Sequence, residues 1–308
     1  MRVLVTGGAG YIGTELARVL NTMPEVKEVI IYDNLARRNY NLFLHSNIEN
    51  GKIRFIEGEL LDSRKLKQIM QGIDVVIHLA ARVESRLINA SHHLYEQINN
   101  WGTAEVVYAS EETASVKKFI YASSISVYGN SPTAVNHTIE PFPRTYYGSS
   151  KLRGEFHVKR LFPKMQTAIL RIGNTYGYGV SFRKDTVMNA FMFDAAYKHK
   201  IKINGTGLQK RGFIHVNKLI TVFADFMLQN FESDVYDVVD KNLSIVELAD
   251  LVKGIYPDVE MLFVNQHLEL RNLEVEPDLR LSLLQKESDI NEELKQFECH
   301  LRKSSIGC

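Results

Sequence analysis

The chain has almost no cysteine: Cys299 and Cys308 are the only two in 308 residues, both near the end. That excludes a disulfide framework and a cysteine metal cluster, and it points to a cytoplasmic protein. Net charge is nearly absent too, with 37 basic and 36 acidic residues giving +1. Such a balance exerts no global pull toward nucleic acid or an anionic membrane, so neither is expected as a partner. No apolar run approaches the ~18 residues of a membrane span. Because residue 2 already opens an apolar strand, no signal peptide is expected. Internal repeats and low-complexity segments are missing as well. What remains is the composition of an ordinary globular protein, 45% hydrophobic and 24% charged, long enough for one large domain and a smaller one.

The most informative stretch comes first. Arg2 to Thr6 is a short apolar, β-branched run that reads as a buried strand, and it enters Gly7-Gly8-Ala9-Gly10-Tyr11-Ile12-Gly13 directly. Helical spacing of Leu16, Val19 and Leu20 follows, then a second apolar run, Val26 to Tyr32, ending on Asp33. A tight strand-to-helix turn needs positive φ, which glycine adopts without steric cost, and bare glycines let the backbone approach a pyrophosphate. The helix N-terminus offers it unpaired N–H groups and a positive dipole end. Asp33 stands 20 residues after Gly13, where a carboxylate accepts hydrogen bonds from a ribose 2′-hydroxyl. Strand, glycines, helix, strand and acid in this order predict a dinucleotide site for NAD. Arg37 and Arg38, just beyond, are expected to be solvated loop charges.

Further strands are expected at 52–56, 74–79, 118–122 and 167–172. Helices are expected at 63–70, 92–110 and 145–161, with Leu94, Ile98 and Trp101 as packing residues of the second. His92 and His93 lack acidic or cysteine partners at metal spacing, so they read as a helix start, and no metal is expected. Strands alternating with helices to about residue 172 predict a doubly wound parallel α/β sheet covered on both faces. Beyond Asn174 the alternation loosens. The expected division is a dinucleotide-binding domain at 1–173 and a smaller α/β substrate domain at 174–308, with 213–240 able to pack back on the first.

Tyr147 and Lys151 stand four apart on a predicted helix and so share a face. A phenol titrates near 10; an adjacent ammonium favours the phenolate and lowers that value, which suits the tyrosine to proton transfer at neutral pH. Ser124, at the end of the preceding strand, can bond the same substrate oxygen, and Ser123 can serve as a strand-end cap.

With these residues in view, the chain resembles the extended short-chain dehydrogenase/reductase family, within it the sugar-nucleotide epimerase/dehydratase group, and in that group the UDP-glucose 4-epimerase type. The resemblance rests on Thr6 to Gly13, Asp33-Asn34-Leu35, Gly58 to Asp62, His78-Leu79-Ala80-Ala81, Asn99 with Gly102-Thr103, Ser123 to Gly129, the Tyr147 and Lys151 pair, and Leu170 to Gly177. A second, weaker stretch runs from Gly205 to Val216. The resemblance implies a Rossmann-type fold with NAD as cofactor. Gly7, Gly10 and Gly13, with Tyr11 and Ile12 between them, would meet the pyrophosphate. Asp33 and Asn34 would hold the adenosine ribose, and Glu59 and Leu60 would flank the adenine. Leu79, Ala80 and Ala81 would line the middle of the cofactor, and Asn99 would support it. Tyr147 would be the acid/base, Lys151 would bond the nicotinamide ribose, Ser124 would orient the reacting oxygen, and Asn174 and Arg211 would contact a nucleotide sugar. A homodimer through the 92–110 and 145–161 helices is implied too.

Departures from the group narrow the reaction. Its 4,6-dehydratases carry an Asp-Glu pair after the serine or threonine, where this chain has Ile125 and Ser126. The GDP-fucose synthase type carries a cysteine soon after its serine, and none stands here. The reading is therefore a nucleotide-sugar epimerase working through a 4-keto intermediate. A 4-keto-sugar reductase, a reductase of a non-sugar alcohol or ketone, and a non-catalytic NAD-binding scaffold are the alternatives. A second phosphate-binding arginine could be Arg271 or Arg280.

Overall fold

A computed structural model describes residues 1–45, 51–83, 92–265, 267, 270–285 and 288–305. The first half of the chain runs β1 (Arg2–Thr6), α1 (Tyr11–Thr22), β2 (Glu28–Asp33), α2 (Asn41–His45), β3 (Ile53–Glu57), α3 (Ser63–Ile69), β4 (Val75–His78), α4 (His92–Tyr95), a π-helical turn (Glu96–Trp101), α5 (Gly102–Glu111), β5 (Lys118–Ser124), a 3₁₀ turn (Ile125–Tyr128) and α6 (Tyr146–Lys159). The second half runs β6 (Gln166–Ile172), β7 (Asn174–Tyr176), α7 (Val187–Lys198), β8 (Lys200–Asn204), β9 (Lys210–His215), α8 (Val216–Leu228), β10 (Asp234–Val238), β11 (Lys241–Ser244), α9 (Ile245–Ile255), β12 (Glu260–Val264) and α10 (Ile290–Ser305).

Seven strands form one parallel sheet in the order β10-β6-β5-β4-β1-β2-β3. Side chains alternate across it, as period two requires. Val3, Val5, Val29, Ile31, Ile77 and Ile120 meet α1 and α8 on one face through Leu16, Leu20, Leu219 and Phe223. Leu4, Ile30, Val76, Phe119 and Ile169 meet α3, α5 and α6 on the other through Leu66, Val106 and Val158. Both faces are apolar, so these strands read as continuous hydrophobic runs. The strand order reverses between β1 and β4, and ligands of such sheets sit outside the carboxyl ends at that crossover.

The remaining strands make a three-stranded sheet, β11-β9-β7, and a two-stranded one, β12-β8. A separate core of Met188, Phe191, Met192, Ile201, Ile203, Leu248, Val252, Leu294 and Phe297 joins α7, α9 and α10 to β8. The stretch from 213 to 240 turns back: α8 packs on α1, and β10 pairs with β6 as the sheet's outermost strand.

The 92–110 helix is not continuous. A π-helical turn at Glu96–Trp101 inserts into it, and π-bulges of this kind recur at functional sites. The extra residue rotates the register of everything beyond it. Trp101 and Tyr108 stand 57% and 38% exposed, while Leu94 and Ile98 line the main cleft. The expectation of packing holds for Ile98, which packs against the core on that face of the sheet, and fails for Trp101 and Leu94, which are exposed.

Candidate active site

The carboxyl ends of β1 to β6 open into a cleft of about 1270 Å³. That exceeds the roughly 300–1,000 Å³ typical of a pocket for one drug-sized ligand, leaving room for a dinucleotide and a second molecule.

At one end lies the glycine turn. Gly7 has φ +71°, and a Cβ there would meet Ala80 N at 2.5 Å; a Cβ on Gly13 would meet Gly8 Cα at 2.5 Å. Bare residues are thus required for the turn to press against β4 and for α1 to start where it does. Gly10 caps α1 with no side-chain hydrogen bond, and the first turn carries no acidic residue. The N–H groups at this helix start remain available to an anion. Gly7, Gly10, Tyr11, Ile12 and Gly13 all line the cleft. The Tyr11 hydroxyl donates to the Gly177 carbonyl at 2.6 Å, tying α1 to the far side of the cleft.

Asp33 accepts from Ala9 N at 3.1 Å and Leu35 N at 2.8 Å, one bond to each carboxylate oxygen. Each oxygen keeps a lone pair for a ligand hydroxyl. Burial nevertheless raises its pKa above the ordinary carboxylate value. Asn34 donates to both Glu59 oxygens at 3.1 and 3.0 Å, so these two expected adenosine-binding residues are held as one unit. Leu60, Leu79, Ala80 and Ala81 continue the same wall. Glycine-rich and anion-receptive at one end, acidic where β2 ends, this half of the cleft fits NAD.

Asn99 is absent from the lining. It is fully buried and acts through its neighbours. Its Oδ1 accepts from Arg82 N at 2.7 Å, and its Nδ2 donates to Arg82 O and to Ser150 Oγ, both at 2.9 Å. It thereby pins the start of the segment after β4 to α6.

At the other end the catalytic candidates converge. Thr145 caps α6 by accepting from Gly148 N at 3.1 Å, a contact worth about 1 kcal/mol that orients the first turn. Tyr147 lies on that turn and faces the cleft together with Ser124; Ser124 Oγ accepts from Ser126 N at 3.2 Å. One turn on, Lys151 is 1% exposed, with Nζ 4.1 Å from the centroid of the Tyr121 ring. Burial pushes its pKa down to about 7. Lys151 is not a lining residue; it stands one turn behind Tyr147. Ser123 is more than a strand-end cap, since its hydroxyl donates to the buried Glu155 at 2.5 Å.

Asn174 and Arg211 line the opposite wall. Asn174 Nδ2 donates to Gly212 O at 3.0 Å. The Arg211 guanidinium donates to the carbonyls of Lys210 and Arg271. Arg271 also lines the cleft, whereas Arg280 lines a different, smaller pocket and pairs with Asp278 and Asp234.

Several cleft residues carry no signal in the sequence. Arg82 is one, its Nε buried with no hydrogen-bond partner among the described residues. Arg183 and Asp185 are others, paired at 2.7 Å. Arg37 joins them on the cleft with its side chain exposed, in keeping with a solvated loop charge that also faces the site. Only distance along the chain hid this cluster, because its members come from three separate loops.

The sequence matches the NAD dependent epimerase/dehydratase family over residues 3–239. It is 32% identical over 262 residues to a putative UDP-glucose 4-epimerase of Methanocaldococcus jannaschii, covering 82% of this chain and 81% of that protein. It is 29% identical over 273 residues to the dTDP-D-glucose 4,6-dehydratase of Bos taurus, covering 84% of this chain and 75% of that one. The fold superposes on the UDP-glucuronic acid 4-epimerase from Bacillus cereus, solved in complex with NAD, with a TM-score of 0.84, 25% identity and 99% coverage of both chains. With the glycine turn, Asp33 and the Tyr147–Lys151 turn in place, the chain belongs to the NAD dependent epimerase/dehydratase family.

Proposed function

We propose that the protein is an NAD-dependent epimerase of a nucleotide sugar, with Tyr147 as acid/base. One observation separates it from the dehydratase-type relatives. Among the described residues, the acidic side chains lining the cleft are Asp33, Glu59 and Asp185. The first two belong to the adenosine end and the third is paired with Arg183. Beside Ser124 stand Ile125 and Ser126, neither of which can serve the elimination step as acid or base.

Bound in the cleft, NAD supplies a reversible hydride acceptor. The side chains supply orientation and proton movement. Ser124 Oγ, an acceptor and donor at the strand end, holds the sugar hydroxyl that reacts. Tyr147 as phenolate takes that hydroxyl's proton as the ketone forms, and returns it after the keto-sugar has turned. The Lys151 ammonium stabilises the phenolate from one turn behind. Asn174, Arg211 and Arg271 receive the nucleotide diphosphate, where a guanidinium makes strong charge-assisted bonds. Residues 1–173 are proposed as the cofactor domain and 174–308 as the substrate domain, with β10 lent to the former. The protein is placed in the cytoplasm on its cysteine poverty, and as a homodimer through α4, α5 and α6.

The test is to purify the protein, identify its bound cofactor, and assay UDP-, GDP-, CDP- and TDP-sugars without added cofactor. Turnover with no net redox change is expected, and Tyr147→Phe should lower kcat about 10²- to 10⁴-fold while NAD stays bound. Stoichiometric consumption of a reduced cofactor, or an unimpaired Tyr147→Phe, would overturn the reading.

A further inference from the structure

We propose that Glu155 is a positioning residue for Lys151: its buried carboxylate, metered by Arg171 and Ser123, keeps the lysine charged behind Tyr147. The proposal rests on the acid/base reading of Tyr147 and Lys151.

Glu155 follows Lys151 by four residues, so the two share a face of α6. Its side chain is fully buried. Oε1 accepts from Ser123 Oγ at 2.5 Å and from Arg171 Nε at 3.1 Å; Oε2 accepts from Arg171 Nη2 at 2.8 Å. The Arg171 Nη1 donates to the Tyr128 hydroxyl at 2.9 Å, which donates in turn to Asp237 Oδ1 at 2.7 Å. A line of polar groups therefore runs from β10 across β6 to the catalytic helix. Such a network is costly to bury, and at its catalytic end both oxygens of Glu155 are satisfied.

Around Lys151 the other elements contribute little compensating charge. Tyr121, on β5, presents the face of its ring. His78, on β4, stacks on the far partner of that contact, its ring centroid 5.5 Å from that of Tyr121. It is neutral: Thr103 gives its hydroxyl hydrogen to Asn99 O, so it accepts from His78 Nε2, and His78 Nδ1 accepts from Thr6. Burial and the charge of Lys151 push the His78 pKa down to about 3. Burial likewise opposes the charged form of Lys151, and Glu155 is the group that counteracts it. Arg171 and Ser123 limit how much of the Glu155 charge is felt.

A purely structural clamp between α6 and β6 would behave differently from such a device. Glu155→Gln and Arg171→Gln both break the clamp, yet they change the field at Lys151 in opposite senses. The readout is the ¹³Cε resonance of Lys151 in lysine-labelled, NAD-loaded protein, assigned by its loss in Lys151→Met and followed against pH. Glu155→Gln should move its titration to lower pH by about one unit, the low end of what a neighbouring charge produces, and Arg171→Gln should move it to higher pH. Ser123→Ala, which keeps the ion pair, should move it upward by a few tenths of a unit and serves where either Gln variant fails to fold. Movement of both Gln variants in one direction, or no movement in any variant, overturns the proposal. If turnover is measured as well, the alkaline limb of kcat should follow the resonance. Resonance shifts as expected in a protein that turns over no nucleotide sugar would uphold this role of Glu155 and sink the epimerase reading instead.

Discussion

Lys151 stands over the ring of Tyr121, its Nζ 4.1 Å from the ring centroid. The contact offsets part of the cost of burying an ammonium, yet its pKa still falls to about 7. In the unfolded chain the amine keeps its proton up to about 10.4. Between these values the unfolded state binds the extra proton, so this residue makes stability rise with pH from about 7 toward 10. Lys151→Met should therefore be more stable than the parent at pH 6, by a few kcal/mol (~2–4), with the gap shrinking by pH 9. Urea melts at the two values check it; a gap that does not change with pH contradicts the buried charge.

Asp33 is proposed as the selector of the cofactor. Losing its charged acceptors should cost about 1.5–3 kcal/mol of binding, so Asp33→Asn should weaken NAD about 10- to 100-fold and improve the ratio of NADP to NAD. Calorimetric titration of cofactor-free protein measures both. Unchanged NAD affinity would remove Asp33 from the site.

Asp237 shows the opposite linkage to Lys151. Burial raises its pKa to about 7, against the pull of Tyr128 and Arg171. Its Oδ2 is buried and without a hydrogen bond among the described residues, 3.7 Å from His137 Nδ1. An unfolded aspartate titrates near 3.9, so the folded state binds the extra proton from about 4 to 7, and stability falls as pH rises through that window. Asp237→Asn keeps an acceptor for Tyr128. It should stabilise the protein at pH 8 by about 1 kcal/mol or more beyond any effect at pH 5. Thermal melts at both values are the check, and an equal effect at both would show that Asp237 does not titrate there.

The proposed homodimer has its own test. Trp101 and Phe156 are 57% and 60% exposed on helices that pack side by side through the Arg153–Glu96 pair. Single exposed apolar residues are common, but large exposed aromatics on neighbouring helices suit a contact surface. Trp101→Glu with Phe156→Glu should convert a dimer to a monomer in sedimentation velocity. A monomeric parent protein refutes the assembly.

Much of this site was legible from local pattern. The glycine turn, Asp33 and the Tyr147–Lys151 spacing announce themselves because each is written within a few residues of contiguous chain, where φ requirements and i,i+4 neighbours act directly. The strands β7, β8, β9, β11 and β12 were not legible; they are short, and β8 alternates exposed and buried residues as one side of a two-stranded sheet. The π-turn was hidden too. Within it Asn99 reaches back to Arg82 and across to Ser150 at the same time, contacts that no periodicity records.

The amino-acid order by itself determined the doubly wound sheet, the glycine turn and the adjacency of Tyr147 and Lys151, since apolar period, backbone sterics and helical adjacency are local properties. Tertiary structure alone decided the surroundings of that pair. Arg171 comes from β6, Asp237 from β10 and Arg82, Arg183 and Arg37 from separate loops. Their influence depends on through-space distance, and electrostatic influence of that kind is set by where the folded chain brings charges together.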